Sequence, residues 1–290
     1  MIMDMLWILL LSIHLIGIVG YALYLRKSAL SSIDKTLLAA LMQTAVFLPS
    51  LALAAYSGVN LHLQAWQWGS LLLNGLFIVG IQFFGIMALK YLEASVFTII
   101  FSLRLLFTTI LGLIFLGELP TQIQLLGGFI IFASIIALNL HRERRYASRP
   151  IVYGVLITLF FSLHATLEKF NIVNVGFMPY IVISGGIATA ILWIIVYRRR
   201  IRLPHVVAAL DGHTLQLLVL RTMSAWGYLL ALKYGSLAVT NYVSGMSVPL
   251  TVLFGIFILR ERTQLREKIT ATLIALAGLT LILLGRLTGH

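Results

Sequence analysis

Four residues able to do chemistry stand inside long apolar runs, where a charge or a titratable ring is costly. Arg104 is the one charge between Ala94 and Leu116, and Arg221 stands alone between Asp211 and Lys233. Neither is close enough to an end of its run for the side chain to reach the membrane surface comfortably. A guanidinium in that position can hold a carboxylate or phosphate through two parallel hydrogen bonds. The alternative is a clamp on backbone carbonyls or on Glu168. His14 and His164 occupy matching tripeptides, Ser12-Ile13-His14 and Ser162-Leu163-His164. An imidazole titrates near pH ~6.5, so either ring could carry a proton coupled to another event; a hydrogen-bonded packing role is the plainer reading. Glu168 lies one helical turn beyond His164 on the same face. With Lys169 it could equally be a charged pair marking a helix end.

A second group concerns backbone shape. Pro249 falls inside an apolar run beside Ser244-Gly245-Met246-Ser247. Proline removes a backbone hydrogen bond and clashes with the preceding turn, so a kink is expected there and Pro249 is read as a hinge. Carbonyls freed at membrane depth are tolerated where protein or a water-filled cavity satisfies them. Ser244, Ser247 and neighbouring Tyr242 are therefore candidate cavity-lining groups. Glu118 and Glu261 stand where a carboxylate can meet the free N–H groups of the helix that follows. Lys90 and Lys233 read as anchors at the ends of spans, and Gly17, Gly20, Gly127, Gly128, Gly185 and Gly186 as sites of close helix packing.

The elements that must position these residues are membrane helices. The 290-residue chain is 60% hydrophobic and 10% charged, with mean hydropathy +1.02. A water-soluble domain could not cover so much apolar surface, so the solvent is lipid. The net charge of +12 does not point to nucleic acid, because the basic residues lie in short clusters between apolar runs. Such clusters are membrane-flanking anchors. With no cysteine there are no disulfides, thiolate metal sites or Cys nucleophiles. Leu6–Leu25 has no basic segment before it and no small-residue cleavage site after it, and reads as a retained first span.

Ten apolar runs follow one another. The first five lie near Met5–Leu25, Thr36–Tyr56, Trp66–Leu89, Ala94–Leu116 and Thr121–Leu140. The second five lie near Ile151–Leu167, Pro179–Tyr197, Thr214–Leu232, Leu237–Leu259 and Ile269–Gly285. Each approaches the roughly 20 residues a helix needs to cross the hydrocarbon core. The second five repeat the first: Ala88-Leu89-Lys90-Tyr91 returns as Ala231-Leu232-Lys233-Tyr234, 143 positions on. The same offset pairs Val96 with Val239, Thr108 with Thr251, Gly112 with Gly255, Leu116 with Leu259 and Glu118 with Glu261. One membrane domain of two halves results, 1–145 and 146–290, joined around His141–Pro150. Because five is odd, the second half enters the bilayer from the opposite face. The expected fold is an all-α integral membrane protein, ten transmembrane helices as two inverted five-helix repeats around a central cavity. That arrangement recurs in secondary transporters.

The ten spans and the Gly-x-x-x-Leu-x-Glu endings Gly112…Leu116-Gly117-Glu118 and Gly255…Leu259-Arg260-Glu261 resemble the drug/metabolite transporter superfamily, specifically its EamA-type carriers. The resemblance covers essentially the whole chain. It implies a helical basket around a cavity that moves amino acids, other metabolites or nucleotide sugars without ATP. Many members carry Trp-Gly or Trp-Ala in the first and sixth spans, where this chain has Ile13-His14 and Leu163-His164.

The expected function is ATP-independent transport of a small polar or anionic metabolite through a midplane site. The substrate-binding candidates are Arg104, Arg221, His14, His164, Glu168, Tyr242, Ser244 and Ser247, with protons as a possible coupling ion. A lipid flippase on the same fold is the alternative. An enzyme is disfavoured by the lack of His-Glu-x-x-His, Gly-x-Ser-x-Gly or Walker-type motifs, and no cofactor or metal is expected. The partners are a small-molecule substrate and the lipid bilayer, not nucleic acid. Of the 21 Lys and Arg, 16 fall in loops after odd-numbered spans, which are therefore expected to be cytoplasmic with both chain ends outside. The expected location is a prokaryotic cytoplasmic membrane.

Overall fold

The computed structural model describes residues 2–27, 34–91, 100–139, 148–201, 203–258 and 265–288. The described residues form helices and no strands. In chain order the helices are α1 (Ile2–Lys27), α2 (Lys35–Ser57), α3 (Ala65–Tyr91), α4 (Arg104–Leu116, preceded by a helical turn from Ile100), α5 (Gln122–Asn139) and α6 (Ser148–Asn174). After them come α7 (Phe177–Arg198), α8 (Gly212–Tyr234), α9 in two pieces (Leu237–Gly245 and Ser247–Ile258) and α10 (Leu265–Thr288). A short helix, Leu203–Ala208, links α7 to α8.

Among the described residues, seven helices are long and apolar enough to cross a membrane: α1, α2, α3, α6, α7, α8 and α9. The apolar stretches of α4, α5 and α10 are shorter, at Ile100–Leu116, Gln122–Ala137 and Ile269–Gly285. The fourth apolar run begins at Ala94, before the described part of its helix. The protein is a multi-pass integral membrane protein. Its outer surface carries large apolar side chains such as Ile16, Phe129, Val173 and Leu273, each more than 60% exposed, which only lipid can cover.

Helix ends follow local chemistry. The Asp34 carboxylate accepts the Thr36 and Leu37 N–H groups at the start of α2, and Asp211 accepts the Thr214 N–H at the start of α8. α4 ends at Gly117, whose φ of 65° is the left-handed conformation that lets the chain turn sharply toward α5. α7 contains a π-helical stretch, Tyr180–Ser184, between Phe177–Pro179 and Gly185–Arg198.

The helices pack in pairs that are distant in the chain. α5 lies along α10, α1 along α8, α3 along α6 and α2 along α7; α4 rests on α6, and α9 on α1. Backbones approach where the chain supplies glycine. A Cβ on Gly127 would stand 2.5 Å from the Gly278 carbonyl oxygen, and one on Gly278 would stand 2.7 Å from that of Gly127. Gly17 and Gly227 do the same for α1 and α8, against Ser224 and His14 backbone atoms. Gly128 lies under the Tyr242 ring, and Gly185 and Gly186 lie beside Phe47.

The break in α9 lies within the expected stretch Ser244–Pro249. It falls at Met246, three residues before Pro249, in a single tight turn with φ −59° and ψ −18°. α4 breaks in the same way at Leu103, with φ −57° and ψ −18°. Met246 N–H bonds to the Val243 carbonyl at 3.0 Å and Leu103 N–H to that of Ile100 at 3.1 Å. Leu103 and Met246 are 143 positions apart, the offset of the sequence repeat. Pro249 cannot donate to the Gly245 carbonyl four residues before it, which suits a break at Met246; the residue in α4 that corresponds to Pro249 is Leu106, so the break there forms without a proline. Both helices break in the same 3₁₀-like turn.

Candidate functional site

The two breaks lie side by side, with Leu105 of α4 packed on Gly245 of α9 at a distance a Cβ would reduce to 3.2 Å. Arg104 immediately follows one break and Ser247 the other. Arg104 is 7% exposed, and its guanidinium lies 4.9 Å from the Phe101 ring centre and 5.0 Å from that of Phe161 on α6. The rings give it cation–π contact. Among the described residues its guanidinium makes no hydrogen bond or ion pair, and neither does that of Arg221 on α8. Neither clamps Glu168. Arg221 stands within electrostatic reach of His14, Tyr21, His164 and Glu168. The two guanidinium groups are thus placed in one polar interior, with neither neutralised by an ion pair.

The histidines turn out differently from one another. His14 is 5% exposed and fully engaged: Nδ1 donates to the Ser224 carbonyl at 2.8 Å, and Nε2 accepts from the Ser244 hydroxyl at 2.8 Å. A carbonyl only accepts, so this tautomer is fixed and the ring joins α1, α8 and α9. Its ring centre lies 5.4 Å from that of Tyr228, whose hydroxyl accepts from Asn241 at 3.1 Å.

His164 makes one good bond, from Nδ1 to Asn74 Oδ1 on α3 at 2.5 Å. Its other nitrogen faces the Glu168 carboxylate at 3.9 Å, beyond hydrogen-bond length. Glu168 is 4% exposed and accepts the Tyr180 hydroxyl from the π-helical stretch of α7. Two amide atoms around this site, Asn74 Nδ2 and Asn241 Oδ1, are buried with no hydrogen-bond partner.

Several sequence candidates have other surroundings. Tyr242 packs in the core that α4, α5 and α9 share, its hydroxyl 2.7 Å from Thr109 Oγ1. Ser247 is buried and its carbonyl accepts from Thr251. Lys169 is not paired with Glu168: its ammonium donates to the Leu232 and Gly235 carbonyls at 2.7 Å each, at the C-terminal end of α8. Glu118 does not cap α5; it accepts the Leu237 N–H at the start of α9. Burial raises the Glu118 carboxyl above its ordinary value, while the Leu237 N–H and the Lys169 charge pull it down. Glu261 lies outside the described residues. Asn74, Tyr180, Phe101 and Phe161 were not singled out from sequence, because nothing in a lone Asn, Tyr or Phe within an apolar run distinguishes a site from packing.

Lys169 and Glu118 together pin the α8–α9 turn, a cation on its carbonyls and an anion on its N–H, each matching the helix dipole it meets. A hydrogen bond to a charged group contributes about 1.5–3 kcal/mol. Lys169→Met is therefore expected to speed amide exchange over Ser236–Thr240 by about ten- to hundredfold. Unchanged protection there would show that the pin carries no stability.

Residues 5–140, the first half, match the model described as the EamA-like transporter family. No curated protein matches the chain. One solved structure, described only as a crystal structure of a protein, is similar with a TM-score of 0.70 at 18% identity. The match covers 93% of this chain and 98% of that one, and at such identity it speaks for the fold alone. A buried polar interior ringed by apolar helices fits a membrane transporter of a small molecule, and residues 5–140 match the EamA-like transporter family, which is part of the drug/metabolite transporter superfamily.

Proposed function

We propose that the protein is a secondary carrier for a small anionic metabolite, working by alternating access around Arg104 and Arg221. The observation that carries this reading is Arg104, a buried cation with aromatic neighbours and no ion pair among the described residues. A charge at mid-membrane costs about 2.5–3.5 kcal/mol even on permissive scales. Cation–π contact returns about 0.5–2 kcal/mol. The remainder is accounted for if a substrate carboxylate, sulfonate or phosphate, or water in its absence, completes the site.

Alternating access is supported by the way the packing exchanges under a five-helix shift. The α1–α8 pair corresponds to α6–α3, and α4–α6 corresponds to α9–α1, while α5–α10, α2–α7 and α4–α9 map onto themselves. His14 reaching α8 and His164 reaching α3 follow the same exchange. The matched breaks at Leu103 and Met246 are the natural hinges of such a pair of halves. At the end of the bundle where α1 begins, Leu237 is fully buried among Leu71, Ala165 and Leu232 and the Lys169 and Glu118 pins hold the α8–α9 turn, and we read this as the closed end. We assign that end to the outside of the cytoplasmic membrane, from the Lys and Arg bias of the opposite loops.

A thermal-shift screen of the detergent-purified protein against metabolite anions tests the substrate class. Stabilisation by anions that disappears in Arg104→Gln supports it; stabilisation by cations or neutral compounds alone contradicts it. Orientation is checked by a reporter that fluoresces only in the cytoplasm, fused after His290. It is expected to stay dark, and a bright signal would reverse the assignment.

A further inference from the structure

The two histidines occupy matching places in the two halves, yet only one has a carboxylate beside it. One turn beyond His14 stands Ile18; one turn beyond His164 stands Glu168. Both His14 nitrogens are already committed, to the Ser224 carbonyl and the Ser244 hydroxyl. A further proton there would force the Ser244 hydroxyl to turn from donor to acceptor and add a cation within reach of Arg104 and Arg221. His164 is free on one side. Asn74 Oδ1 can only accept, so it keeps the hydrogen on Nδ1 and leaves the Nε2 lone pair toward Glu168 Oε2 at 3.9 Å.

Glu168 has no lysine or arginine within ion-pair distance among the described residues. Its surroundings are His164 on its own helix, the Tyr180 hydroxyl from α7, and Arg221 and Tyr228 of α8 within electrostatic reach. Arg104 from α4 lies over Phe161 of the same helix, α3 contributes Asn74 behind His164, and α9 contributes Asn241 through Tyr228. A buried carboxylate beside a basic nitrogen is a place where one proton can reside, on Oε2 or shared with Nε2.

We infer that the Glu168–His164 pair is the coupling-proton site of the carrier, and that a proton there and an anion at Arg104 and Arg221 bind cooperatively and move in the same direction. The inference rests on the anion-carrier reading above. An ionised Glu168 competes with an incoming anion for the field of Arg221 and repels it. Protonation ends the competition, and by linkage the anion favours protonation by the same factor. The site then carries one net positive charge both when empty with Glu168 ionised and when holding a proton with a monovalent anion. Cotransport of proton and anion follows from that balance.

The test uses benzenesulfonate, which stays ionised throughout the working pH range, so any pH dependence belongs to the protein. Its affinity for the detergent-purified carrier is measured by tryptophan fluorescence at pH 5.5 and 8, with proton uptake followed by a pH dye in weak buffer. Expected is about tenfold tighter binding at pH 5.5, with net proton uptake on binding at neutral pH. In Glu168→Gln, binding at pH 8 should match the wild-type acid value and pH dependence should vanish. Binding that is pH-independent in wild type, or equally pH-dependent in Glu168→Gln, overturns the proton site while leaving the anion carrier standing. No binding at either pH removes the anion reading and this inference with it. Should the glutamine variant fail to fold, the wild-type dye measurement decides: no proton uptake on binding overturns the proposal.

Discussion

Arg104→Gln is expected to abolish transport while the protein still purifies folded and monodisperse. Removing one partner of a buried, charge-assisted contact costs about 2–5 kcal/mol of binding, thirtyfold or more in affinity. The stability outcome separates the two roles open to this residue. A structural clamp lost to glutamine would leave stranded carbonyls and a lower melting temperature. Here, among the described residues, the guanidinium is held by the Phe101 and Phe161 rings. Its cation–π contact, about 0.5–2 kcal/mol, is smaller than the cost of keeping a charge at mid-membrane. The variant should therefore melt at or above the wild-type temperature. Arg104→Lys keeps the charge but loses the planar fork, so intermediate transport is expected. Wild-type transport by Arg104→Gln, or its unfolding, would contradict the assignment.

The largest effect on stability is expected at Gly127. An alanine Cβ there would meet the Gly278 carbonyl at 2.5 Å and Ile282 Cγ1 at 2.8 Å. The carbonyl belongs to backbone in the middle of α10 and cannot rotate away, so the two helices must separate along one of the most extensive interfaces of the fold. Overpacking of this kind costs about 1–3 kcal/mol or more. Gly127→Ala should yield little folded protein. Gly69→Ala is the control: a Cβ at Gly69 meets nothing within 4 Å, and alanine gains helix propensity. Gly127→Ala with Gly278→Ala should cost less than the sum of the two, because one displacement of α10 serves both. Equal melting temperatures for Gly127→Ala and Gly69→Ala would show that the crossing is looser than described.

Much of this was legible in the sequence, for reasons that particular residues make plain. Apolar runs bounded by Asp34, Gly117 and Asp211 become helices because lipid permits little else. The 143-residue offset found from Ala88-Leu89-Lys90-Tyr91 also relates the breaks at Leu103 and Met246. Arg104 and Arg221 stood out because a charge amid apolar neighbours needs an explanation. What could not be read was which group meets which across the bundle. Lys169 follows Glu168 in the chain, yet successive residues on a helix point apart, and its partners lie on α8. Glu118 precedes α5 but reaches α9, because α9 is its neighbour in space. The break at Met246 could be expected from Pro249, but its counterpart at Leu103 has no proline to announce it. Histidines alike in their flanking residues parted company through Ser244, Asn74 and Glu168, which only the packing brings to them.

The central claim, a carrier whose cargo is held by Arg104 and Arg221, is tested most directly by letting the protein choose. Proteoliposomes are loaded with a mixture of cellular metabolites, and those that leave are identified by mass spectrometry, with wild-type protein and with the Arg104→Gln/Arg221→Gln variant. The account predicts that one or more anions leave wild-type vesicles and stay in the variant's. Identical losses from both, or selective loss of cations or neutral compounds alone, would contradict it.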